Sequence, residues 1–131
     1  MSQTVDLSTS YFQDFHLMNK LPAKTQVSLT INVNVGFWMP SSDKIDNAKI
    51  KFSISFKDAT NDPILFDLSA IMEFNVYFNE QLNQEDARQT IDECLPKAYE
   101  IVNQDFQKVA TALRLESLQL PTDFLQNKQN I

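Results

Sequence analysis

Cys94 and His16 are the only cysteine and the only histidine among the 131 residues. A thiol with an imidazole base beside it is a nucleophile that could drive covalent catalysis. Cys94, however, falls in a helical pattern next to an apolar stripe of Ala87, Ile91 and Leu95, and no oxyanion-hole motif accompanies it. In that setting a lone cysteine reads as a small buried apolar residue. A metal centre needs several ligands, and one His and one Cys far apart in sequence do not indicate one. Glu85, Asp86, Asp92 and Glu93 read as the solvated face of a helix rather than as converging acids for glycoside chemistry. The chain has a single glycine and no phosphate-cradling fingerprint. The expectation is a protein that is not an enzyme and uses no metal or cofactor.

Charge narrows the partners. A formal net charge of -6 does not supply the positive field that phosphate backbones require, so nucleic acid is not expected and a basic partner suits better. One cysteine allows no internal disulfide, which fits a reducing cytosol. The start "MSQTVDLSTSYFQDF" has neither a basic opening nor an apolar core, so it does not read as a signal peptide. No apolar run approaches the roughly 20 residues of a membrane span. A cytoplasmic protein with no membrane insertion is expected.

The elements that must carry any site follow from periodicity. Residues 1–10 are polar and read as a flexible N-terminus, and "YFQDFHLM" (Tyr11 to Met18) as a short edge strand. Val27, Leu29, Ile31, Val33, Val35 and Phe37 alternate with Ser28, Thr30, Asn32 and Asn34. Ile50, Phe52, Ile54 and Phe56 alternate with Lys51, Ser53, Ser55 and Lys57. Ile64, Phe66, Leu68, Ala70, Met72, Phe74, Val76 and Phe78 then hold one parity of a long segment. A period of two marks half-buried strands, and the short connections suit antiparallel neighbours. The last strand is long enough that a bulge or bend is expected in it.

Something must cover the apolar sheet face. Asn83 followed by Gln84, Glu85 and Asp86 reads as an N-cap with an acidic first turn. Helical spacing runs from there to about Arg114, interrupted by Pro96. Proline is tolerated in a first helical turn and not inside a helix. The segment therefore reads as two pieces, one ending near Cys94 and a longer one from Pro96 to about Leu115. Leu118, Leu120 and Phe124 are expected to pack down in an extended tail. The fold class is α+β, an antiparallel sheet with a long C-terminal helix on one face, in one domain at 11–125 followed by a tail at 126–131.

Ten phenylalanines are many for one small sheet. Most should form the core, but one helix leaves part of such a face open, and open apolar patches mark interfaces. A homo-oligomer or capture of an apolar partner follows. Phe12, Phe37, Trp38 and Phe78 are the candidates for lining a groove.

The order of parts resembles the SecB export chaperone and its small relatives over roughly residues 11–125. "LPKAYEIV" is similar to that family's opening of its long helix, with Pro96, Ala98 and Glu100 on its proline, alanine and glutamate. "LQLPTDF" is similar to its leucine-rich, proline-containing segment, and "PILFDLSAIMEF" occupies the place of its long third strand. The resemblance implies a four-stranded antiparallel sheet with helices on one face. It also implies dimers or tetramers and apolar grooves that hold unfolded polypeptide without nucleotide. It further implies delivery to the SecA motor through acidic positions, which Asp67 with Leu65, and Asp14, would match. Met18 stands where another acid belongs, and the C-terminus "QNKQNI" lacks the acidic extension. Those departures suit a divergent member with another partner, such as a toxin–antitoxin or phage-type chaperone. The expected function is a holdase or adaptor for unfolded polypeptide; the alternative is a non-catalytic binder of a small apolar ligand or an interaction subunit.

Overall fold

The computed structural model describes residues 5–8, 12–22 and 27–122. The elements are β1 (Val5–Ser8), β2 (Asp14–Asn19), β3 (Leu29–Trp38), β4 (Ile45–Asp58), β5 (Phe66–Leu82) and α1 (Gln84–Ala112). All pairings are antiparallel. β5 lies between β4 and an edge made of two pieces, with β2 opposite its first half and β1 opposite Asn75 to Phe78. β3 forms the other edge, against β4. The result is a four-stranded antiparallel sheet with one long C-terminal helix, an α+β fold.

The alternation in sequence becomes the two faces of this sheet. Ile50, Phe52, Ile54 and Phe56 of β4 and Phe66 to Phe78 of one parity on β5 are buried. Their partners across the ladder are matched, for example Phe52 with Met72 and Ile54 with Ala70. The bulge expected in β5 is found near its end: Ile45 pairs with Leu82 and Asn47 with Tyr77, so two steps along β4 are matched by five along β5. Residues 1–10 are not wholly loose, since Val5–Ser8 pair with β5. Val5–Ser8 alternates apolar and polar residues, but four residues are too short a run to mark a strand unaided, and the open edge of a long strand supplies the partner.

α1 packs on β4 and β5. Phe106 stacks on Phe56 with ring centroids 5.4 Å apart, and Tyr99 and Phe74 both meet Phe52, at 5.9 and 6.0 Å. Asn83 caps the helix as read, its side chain accepting from the Asp86 N–H at 2.8 Å. The division at Pro96 is corrected: α1 is one helix of 29 residues with Pro96 inside it. Buried residues continue on both sides of that position, from Ala87, Ile91 and Leu95 to Ala98, Val102 and Phe106. Pro96 itself faces solvent. The lost bond to the Asp92 carbonyl therefore falls where water can replace it. A break on the outer side also suits a helix that curves around its core.

Helix α1 ends in a Schellman arrangement. The Leu115 N–H donates to the Ala110 carbonyl and the Arg114 N–H to that of Thr111. Arg114 takes the left-handed position at φ 60°, where glycine is usual. The chain then runs back beside the helix. The Gln107 amide donates to the Leu118 carbonyl and the Tyr99 hydroxyl to that of Pro121, and Leu118 and Leu120 are buried. Phe124 and residues 126–131 lie outside the described residues.

Candidate functional site

The two side chains capable of nucleophilic chemistry do not meet. His16 pairs opposite Ser69 on the sheet face away from the helix, while Cys94 packs against the core on the helix side. The sheet separates them. Burial pushes the Cys94 thiol up to about 11, with Asp92 and Glu93 adding to the effect. Among the described residues no group of three or more His, Cys, Asp or Glu side chains is placed to hold a metal. No helix there is long and apolar enough to cross a membrane.

Among the described residues the exposed large apolar side chains Trp38, Ile64, Tyr77 and Leu113 are scattered, whereas Ile31 and Phe37 share one row of β3. Leu29, Ile31, Val33, Val35 and Phe37 face the helix side, opposite Asp58, Phe56, Ile54, Phe52 and Ile50 of β4. The helix lies over β4 and β5 and leaves this outer row partly bare. Ile31 is 41% exposed and Phe37 38%, with Leu29, Val33 and Val35 half-buried between and beside them. The Arg88 guanidinium sits 5.6 Å from the centre of the Phe37 ring, an exposed cation–π contact that covers one side of it. The strip from Ile31 to Phe37 spans roughly 20 Å at a strand's rise, about the length of six residues of extended chain.

The other groove candidates are dispersed. Phe12 meets Phe15 edge-on at 5.7 Å at the opposite side of the sheet. Trp38, 53% exposed, belongs to the other parity and lies on the polar face opposite Lys49. Phe78 is core, only 8% exposed. Of the four, Phe37 alone lies on the open strip.

The polar face carries the positions singled out by resemblance. Asp14 on β2 pairs opposite Ile71, and Asp67 on β5 lies between Met18 and Lys57. Leu65 immediately precedes β5, its carbonyl accepting from the Lys20 N–H and its own N–H donating to Asp58. Beside Asp14 is an open cavity of about 210 Å³, lined by Asn32, Asn34, Ser53, Ser55, Ser69 and Ile71 among others. A bridge between Lys49 and Glu73 at 3.7 Å lies on the same face.

Asp58, at the end of β4, is not among the residues singled out from the sequence. Its buried carboxylate accepts from the Thr60 N–H at 2.8 Å, the Thr60 hydroxyl, the Asn61 N–H and amide, and the Leu65 N–H. These bonds, the Thr60 N–H foremost, hold its pKa down at about 2. The signal available was an Asp followed by Thr and Asn at turn spacing. Ile31 and Arg88 were also missed as site residues; they become visible only once the helix is placed on the sheet.

No family model matches the chain, and no curated protein matches it. In shape it is similar to a crystal structure of a protein of unknown function from Streptococcus agalactiae, with a TM-score of 0.52 and 14% identity. That likeness covers 92% of this chain and 99% of the other, and it bears on the fold alone.

Proposed function

We propose that this protein is a non-catalytic holdase or adaptor that binds extended, apolar polypeptide without nucleotide, and that the helix-side strip of β3 is its contact surface. The observation that carries the reading is the row from Ile31 to Phe37, a partly bare apolar track of peptide length with the Arg88 guanidinium over its Phe37 end. The space between sheet and helix is filled by Phe52, Phe56, Phe74 and Phe106, which favours surface binding over an enclosed apolar ligand. The SecB-like order of elements and the net charge of -6 support unfolded, basic-leaning clients in the cytosol. Asp14, Leu65 and Asp67, away from the strip, would then serve a motor or adaptor partner.

Magnitude matters here. Fully burying a Phe or Ile side chain is worth roughly 1.5–3 kcal/mol. Covering the exposed two-fifths of Ile31 and Phe37 thus contributes roughly 2 kcal/mol together. Micromolar affinity corresponds to about 8 kcal/mol. One strip alone is a weak site, and useful holding needs more apolar surface beside it.

The test is light scattering of a refolding client with wild type, Phe37→Asp and Asp67→Lys present. Wild type should suppress aggregation, Phe37→Asp should lose most of that effect, and Asp67→Lys should keep it. No suppression at a several-fold excess of wild type would remove the reading.

A further inference from the structure

β3 is an unprotected edge. Strand edges are commonly blunted by charge, proline, bulges or short length. The opposite edge follows that pattern, being split into β1 and β2 and carrying Asp6 and Asp14. β3 runs ten residues without a charge or a proline, in unbroken register with β4 from Leu29 to Trp38. No other described strand lacks a charged residue. Among the described residues nothing pairs with its outer side.

We infer that this edge pairs with β3 of a second copy, antiparallel about a two-fold axis at Asn34, and that the pairing builds the polypeptide groove. An isologous contact requires a self-complementary surface, and this strand has one. Directly opposed residues share a face, and with Asn34 opposite its own copy, Ile31 comes opposite Phe37 of the second chain, twice. The two most exposed side chains of the strip thus cover each other's flanks. On the polar face Trp38 comes opposite Thr30, and Gly36 opposite Asn32. Gly36 has neither a positive φ nor any atom within 4 Å of where a Cβ would lie. Nothing among the described residues requires a glycine there, and its bare backbone leaves room for the Asn32 side chain of the second copy. A chain of net charge -6 meets its like with least repulsion along its uncharged strand.

The pairing deepens the proposed function and rests on it only for the groove. Two helices, each over its own β4 and β5, would flank the seam. Between them the β3 strips of both copies form one floor, doubling the apolar surface that a single strip lacks.

The test combines cysteine cross-linking with mass. In a Cys94→Ser background, Asn34→Cys should form a covalent dimer on mild oxidation far more readily than Val33→Cys or Val35→Cys. Wild type should elute with a light-scattering mass about twice the chain's 15.1 kDa. Ile31→Lys and Phe37→Glu should each give monomer. The double variant should recover the dimer and lose it in high salt, because each lysine then opposes a glutamate of the other copy. A monomeric wild type at tens of micromolar would overturn the pairing, as would preferential cross-linking at 33 or 35 or none at all three positions. If that monomer still suppresses aggregation, the pairing fails while the holdase reading stands. A dimer cross-linked through position 34 that suppresses nothing supports the pairing and removes the holdase.

Discussion

Replacing Pro96 with alanine should stabilise the protein. Position 96 is deep inside a continuous helix, with twelve residues before it from Gln84 and sixteen after it to Ala112. An alanine there restores an N–H that can bond the Asp92 carbonyl, a net gain of about 1 kcal/mol. It also removes the ring's clash with the preceding turn, which brings the total for a helix interior to about 3 kcal/mol. The ring is solvent-facing, so no core contact is lost. The folded helix already accommodates the ring, so only part of this is recovered and we expect about 2 kcal/mol. For 131 residues the unfolding entropy near the midpoint is about 275 cal/mol/K, so each kcal/mol moves the midpoint by about 4 °C. The expected rise is about 7 °C, with a higher urea midpoint and an unchanged m-value. Gln104→Pro, a second exposed interior position, should lower stability by about 3 kcal/mol or more. A change below about 0.5 kcal/mol in Pro96→Ala would mean that Pro96 opens a helix after all. A loss of stability would mean that the proline ring itself contributes to the packing of Ile91 and Phe106 on the sheet.

Asp58 should make the fold acid-sensitive. Its folded pKa is depressed to about 2, below the ordinary value near 4. Its contribution is therefore present above about pH 4 and lost as pH falls toward 2. Urea midpoints measured across that window should fall for wild type and change less for Asp58→Asn. Cys94, with its thiol raised to about 11, should be alkylated at pH 8 about a hundredfold more slowly than a free cysteine; rapid modification would show that the helix flank opens. Arg114→Gly should stabilise by about 1 kcal/mol, read in the same melts, because a left-handed conformation strains any side chain with a Cβ.

The sheet was legible because its pattern is local and strong. Alternation along β3, β4 and β5 reports which face each side chain takes, and the stripe from Ala87 to Phe106 reports the helix face that covers them. Pro96 was misread because the local preference for a first turn competes with a tertiary gain that sequence alone does not weigh. Apolar residues on both sides of the proline bury against one sheet, and an exposed position absorbs the defect. Val5–Ser8 was missed for the opposite reason, since its strand exists through a distant partner. Trp38 and Phe78 were grouped with Phe37 by residue type, although their parities and depths differ. Which apolar row stays bare depends on where a helix crosses a sheet, and no residue in β3 encodes that.

The most direct measurement places a photo-reactive benzoylphenylalanine at Ile31 or Phe37 on the strip, and at Tyr77 or Lys97 elsewhere on the surface. Each variant is illuminated in the presence of an unfolded client, and the client adducts are identified by mass spectrometry. Strong adducts at 31 and 37, with little at 77 or 97, are the predicted result. Client adducts concentrated at 77 or 97, or absent from 31 and 37, would contradict the assignment of polypeptide binding to the open strip of β3.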